Sequence, residues 1–185
     1  YNGDITNDEP GSSGNCSVSW NMSQHTLGHK YGGDLKGVEK KLDHIKGIGC
    51  EALFMDPIFR STQDAGYGPE FYKQLENSFG NKKALVDLAR NVHERGMHYM
   101  IDVVFAFVAV HDIWYNKDNT NPFPAAAQDW NSKYHDFFYF TGEEGDTGAY
   151  KSQWGGVELN HASEFLCDLL YRNKDSYLQY YCSSP

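Results

Sequence analysis

No run of Lys and Arg appears in the chain, and none of its four cysteines stand in CxxC spacing. The first absence removes the electrostatic footprint of a nucleic-acid or anionic-membrane binder. Acidic residues number 25 against 16 basic, for a net charge of −9, so the field has the opposite sign. The second absence takes support from zinc and thioredoxin-type chemistry. Cys50 opens an apolar run and Cys167 lies in a helical pattern, which favours buried thiols over bridges. Nor does any apolar stretch approach the roughly 20 residues of a membrane-spanning helix. The opening Tyr1-Asn2-Gly3-Asp4 is neither a signal peptide nor a translation start, so it reads as a processed product or a fragment.

What the chain does have is aromatic residues, at 15% of 185 positions, and a repeating order of elements. Aromatics serve as core or as flat faces for ligands such as sugar rings, and composition alone favours core. Residues 1–30 are polar and rich in Gly, Ser, Asn and Asp, and read as a loop. Asp34 can cap a helix from about 35 to 47, with Val38, Leu42 and Ile45 as its stripe and Gly47 and Gly49 as its stop. Residues 50–55 form a short apolar strand ended by Asp56-Pro57, and 56–80 reads as irregular. Asn81 can cap a second helix with stripe Leu85, Leu88 and Val92, ending at Gly96. A second strand follows over 98–105. Helix–strand repeating in this way predicts a parallel α/β sheet buried on both faces. Residues 106–160 break the rhythm as a long aromatic and polar insertion, and Ser163 and Ser176 can then cap two short helices.

Several stretches in order carry a family resemblance. Tyr31-Gly32-Gly33-Asp34-Leu35 with Leu42 and Ala52 to Phe59 comes first, then Phe79-Gly80, Arg95-Gly96 and Asp102 to Phe105. Within the insertion come Tyr134, Asp136, Phe137, Phe140, Trp154, Leu159 and Asn160, and after it Tyr171, Asp175, Ser176 and Pro185. Together these resemble the α-amylase family of glycoside hydrolases, family 13, and within it the neopullulanase, cyclomaltodextrinase and maltodextrin glucosidase group. The resemblance implies a partial (β/α)8 TIM barrel, its second and third strands, with an inserted small domain after the third strand. It divides the chain into a barrel segment with a calcium loop (1–105), the insertion (106–160) and a helical return to the barrel (161–185). It implies retaining hydrolysis of α-glucosidic bonds in maltodextrins, with an α-glucan or maltooligosaccharide as partner. That chemistry uses two carboxylates about 5–5.5 Å apart. In the family they come from the fourth and fifth strands, so no catalytic residue is expected within these 185 residues and the chain alone is expected to be inactive. The alternative is a non-catalytic relative: a glucan-binding module, or a scaffold like the heavy subunits of amino-acid transporters. Two strands with unpaired edges are further expected to self-associate.

The resemblance also assigns site residues. Asn2, Asp4, Asn7 and Asp8, with Gly32 through its carbonyl and Asp34, are similar to a structural calcium site. Their all-oxygen character suits that ion, although the residues alone favour a solvated acidic loop. Tyr67 stands where the family stacks a tyrosine on the sugar. Asp102 matches the aspartate of the third strand, and Asn160 borders the cleft. Departures are visible too. Gly68 and Phe71 replace two aspartates, Ala106-Phe107 replaces Asn-His, and Gly156-Val157 replaces Leu-Pro. Loss of the histidine is expected to weaken sugar binding by about 1–3 kcal/mol. His93, His98, His111 and Asp112 read as structural or solvated, and Trp114 and Trp154 as packing of the insertion.

Overall fold

The computed structural model describes residues 1, 3, 31–61, 66–140, 142, 148–149, 151–153 and 155–183. Two compact units emerge. The first holds 1–66 and 74–103, and the second holds 67–73 and 104–184.

In the first unit, Asp34 caps helix α1 (Leu35–Lys40), its carboxylate accepting the Gly37 N–H at 2.5 Å. The single helix expected over 35–47 divides at Lys41, which has φ −108° and ψ 6°, and α2 (Leu42–Gly47) follows. Lys41 N–H bonds back three residues to the Val38 carbonyl, so one tightened turn separates two helical pieces. Strand β1 (Ala52–Met55) is next, then β2 (Phe59–Ser61); β3 (Pro69–Leu75) belongs mostly to the second unit, and the first resumes with a 3₁₀ turn at Asn77–Phe79. The expectation of an irregular 56–80 is corrected here. Ile58 and Phe59 are 2% exposed, and Glu76 N–H closes on the Ile58 carbonyl at 2.9 Å. Burial of that apolar pair, a tertiary effect, organises what glycines and prolines make look like loop.

Helix α3 (Lys82–Glu94) begins at Asn81, whose Oδ1 accepts the Ala84 N–H at 3.0 Å. Its stripe of Leu85, Leu88 and Val92 is buried, at roughly 1.5–3 kcal/mol for each such side chain. It packs on α1, and Asn91 Nδ2 donates to Glu39 at 2.9 Å while Arg95 Nε donates to Asp43 at 2.7 Å. Strand β4 (His98–Ile101) pairs with β1 in parallel, in register Ala52↔His98 to Met55↔Ile101. The pair is not buried on both faces as expected: Phe54 is 56% and Met100 51% exposed, side by side in register. Leu53, Met55, Tyr99 and Ile101 are half-buried, so only one face of the pair is covered.

The second unit is an aromatic core framed by short elements. Strand β5 (Phe107–Val108) pairs antiparallel with β6 (Val157–Glu158). Helix α4 (Glu164–Cys167), capped by Ser163, runs into a π-helical turn over Asp168–Arg172. Helix α5 (Tyr177–Cys182) is capped by Ser176. Residues 161–183 belong to this unit. Trp114 is 2% exposed, stacked near Tyr72 and Tyr177 with its edge to Phe137, and so packs the insertion. Among the described residues Cys50, Cys167 and Cys182 are free thiols. Cys167 alone is fully buried, Cys182 is exposed, and Cys16 lies outside the described residues.

Candidate substrate-binding site

The C-terminal ends of parallel strands are where α/β barrels place their chemistry. In the first unit two carboxylates follow the last register pair, Met55↔Ile101: Asp56 just after β1 and Asp102 just after β4. Asp102 is half-buried, and its N–H extends the ladder to the Met55 carbonyl at 2.8 Å. Asp56 is exposed and borders a cleft of about 350 Å³ with Asp34, Phe54, Pro57, Ile58 and Phe79. Sequence reasoning treats Asp56 only as a strand stop before proline. The signal it passes over is position, since Asp56 and Asp102 each follow the last paired residue of their strand.

Asp34 is the most heavily bonded carboxylate of this unit. It is 4% exposed, caps α1, and takes the Gly3 N–H through both oxygens at 3.1 and 2.9 Å. Its own N–H donates to the Tyr1 carbonyl at 3.0 Å, and Lys40 Nζ reaches the Gly3 carbonyl at 2.6 Å. A Cβ on Gly3 would sit 2.2 Å from the Gly37 nitrogen, so only glycine allows this approach. Gly32, at φ +74°, turns the chain into the cap. Asn2, Asp4, Asn7 and Asp8 lie outside the described residues. Asp34 and the Gly32 carbonyl are hard oxygen donors, the type calcium takes, but the Asp34 carboxylate already serves the backbone. Among the described residues no group of three or more His, Cys, Asp or Glu could hold a metal.

The expected sugar-stacking Tyr67 belongs to the second unit and is 36% exposed. It follows Gly66, at φ +79°, where a Cβ would meet the Pro57 carbonyl oxygen at 2.4 Å. Asn160 is also in the second unit, and both ends of its amide are engaged: Nδ2 donates to the Asp136 carbonyl at 3.1 Å and Oδ1 accepts the Ala162 N–H at 3.0 Å. It acts there as a staple of its loop. Asp102 belongs to the first unit. Tyr72 is core: its hydroxyl donates to the Val104 carbonyl and its carbonyl accepts from Tyr181, each at 2.6 Å.

Beside this core Asp112 is 1% exposed, and Oδ1 accepts the Trp114 N–H at 2.7 Å. Burial first, and the charge of Glu70 second, push its carboxyl well above the usual range despite the N–H bonds of Trp114 and Ile113. Burial and the nearby Asp112 likewise lift Tyr177 to about 12. His111, expected to be solvated, pairs with Asp118 at 2.7 Å. A second polar cluster surrounds Phe105. His161 Nε2 meets the Phe105 carbonyl at 2.7 Å and Nδ1 lies 3.3 Å from the Tyr171 hydroxyl, which donates to Cys167 Sγ at 3.0 Å.

The parallel strand pair with carboxylates at its C-terminal end is that of an α/β-barrel segment. The alpha amylase catalytic-domain family model matches residues 3–180, and the chain belongs to the α-amylase family. It is 30% identical over 131 residues to an amylopullulanase of Thermoanaerobacterium saccharolyticum, covering 68% of this chain and 10% of that protein. It is 36% identical over 104 residues to a cyclomaltodextrinase of a Bacillus species, covering 56% of this chain and 18% of that one. The ligand-free cyclic α-maltosyl-(1→6)-maltose hydrolase of Arthrobacter globiformis superposes with a TM-score of 0.75 at 20% identity, over 100% of this chain and 39% of that one. The fold is therefore a partial (β/α)8 barrel with an insertion, and the chain spans a tenth to a fifth of the length of these two curated relatives.

Proposed function

We propose that the chain forms the leading part of the catalytic barrel of a glycoside hydrolase acting on α-glucosidic bonds of maltodextrins or related α-glucans. The family match over residues 3–180 carries this reading. The named activities of the amylopullulanase and cyclomaltodextrinase relatives support the substrate class. In this reading Tyr67 stacks on the sugar, Asp102 helps order the reacting carboxylates, and Asn160 shapes the cleft wall through its loop. The two carboxylates that cleave a glucoside are supplied from outside these 185 residues, which alone do not hydrolyse. The native product from its source cells is expected to release reducing sugar from maltotriose, and the isolated 185-residue chain to release none. Hydrolysis by the isolated chain would overturn the second statement, and an inert native product the first.

A calcium ion held by Asn2, Asp4, Asn7, Asp8, the Gly32 carbonyl and Asp34 belongs to the same proposal. When bound it supplies charge compensation to this acidic loop, with Asp34 joining it to the start of α1. The melting temperature is expected to rise on adding millimolar calcium and to return with chelator.

One observation favours a second reading, a binding protein without catalysis. Phe107, where the family carries histidine, is 8% exposed and locked in β5 against β6. A native product that binds maltoheptaose without cutting it would establish that reading.

A further inference from the structure

Phe123 is the most open large apolar side chain among the described residues, at 68% exposure. It stands between Pro122 and Pro124, whose rings fix the backbone on either side. Beneath it the loop is built around Asn116, fully buried and at a φ of +53°. Asn116 Oδ1 accepts the N–H groups of Thr120 at 2.9 Å and Asn121 at 3.1 Å. Its Nδ2 donates to the carbonyls of Asn121 at 3.4 Å and of Phe123 itself at 3.3 Å. Gln128 donates to the Asn116 carbonyl and accepts the Ala125 N–H at 3.3 Å. Asn119 is a second non-glycine residue at positive φ, +52°.

Two left-handed asparagines cost backbone free energy, while the buried amide is satisfied at both ends by its hydrogen bonds. What they produce is a fixed loop backbone from which the Phe123 ring stands out into solvent. Ile48 is equally open at 67% but merely follows the end of α2. Scattered apolar residues of that kind need no explanation, whereas a tip with a built foundation does.

We propose that Phe123 is a stacking platform for the pyranose rings of an α-glucan. A pyranose offers an apolar C–H face that an aromatic ring matches, and a loop backbone already ordered spares part of the entropy lost on binding. Pro122 and Pro124 are exposed beside it and widen its apolar face, while Lys117, Asp118, Asn119 and Thr120 of the same loop are exposed and polar, which suits sugar hydroxyls. A protein-binding hot spot would instead set its aromatic anchor in an apolar, desolvated core. The inference rests on the α-glucan reading above.

Calorimetric titration of the full 185-residue chain with maltoheptaose tests it, using Phe123→Ala, Phe123→Trp and Tyr67→Ala beside the unaltered chain. Phe123→Ala is expected to weaken binding about fivefold with its melting curve unchanged, and Phe123→Trp to keep it. Tyr67→Ala is expected to leave the Phe123 effect in place. Unaltered affinity in Phe123→Ala would overturn the platform while leaving the α-glucan reading intact. Absence of maltoheptaose binding by the unaltered chain would overturn the platform, while hydrolysis of maltotriose by the native product tests the α-glucan reading separately.

Discussion

A single methyl group at position 156 would land 2.4 Å from Phe107 Cδ2 and 2.7 Å from the Val108 carbonyl oxygen. Two departures from the family pattern thus meet in space. Phe107 fills the histidine position, and Gly156, where the family carries a larger residue, makes room for its ring. The strands that join them pair Phe107 with Glu158 and Val108 with Val157. Nothing local connects positions 107 and 156, so the coupling is invisible to a reading of periodicity or caps. Gly156→Ala should lower stability by about 1–3 kcal/mol through overpacking. Adding Phe107→Leu should restore part of that loss, but not all, because the Val108 carbonyl is backbone and cannot move aside. Urea unfolding of the two variants measures this, and a neutral Gly156→Ala would sink the argument.

At the scale of elements, the helices were legible because their signals are local. Asp34, Asn81, Ser163 and Ser176 each accept an N–H three residues on, from Gly37, Ala84, Leu166 and Gln179. That bond depends on a residue type and a spacing, both written in the chain. Strands β2 and β3 were not legible, since burial of Ile58, Phe59 and Tyr72 defines them and no local cap or period marks it. Of the candidate site, Tyr67, Asp102 and Asn160 are named by motif position alone, while the engaged amide of Asn160 and the place of Asp56 at the cleft needed coordinates. Among the caps Asp34 does more than its share, because it also holds Gly3. Asp34→Ala should therefore cost about 2 kcal/mol in chelator, against about 1 kcal/mol for Asn81→Ala, whose bond is exposed. It should also abolish any calcium-dependent rise in melting temperature. Equal costs for the two variants would mean that the tether to Gly3 contributes nothing.

For the whole molecule the governing feature is the uncovered face of the β1–β4 pair. Phe54 and Met100 lie adjacent on it, and parallel two-stranded sheets have little stability of their own. We expect the 185-residue chain to self-associate through this face and the strand edges beside it. Sedimentation velocity should show concentration-dependent species that Phe54→Ser with Met100→Ser reduces. A monomer at every concentration would rule this out.

The thiols of the second unit form an internal clock. Cys182 lies open to solvent, whereas Cys167 is shut away, its Sγ–H donating to the His161 carbonyl at 3.2 Å and its sulfur accepting from Tyr171 at 3.0 Å. A thiol reagent reaches the first at once, but the second only after α4 and the π turn part. The delay between the two modifications therefore times the opening of one unit in the native protein, with no label added.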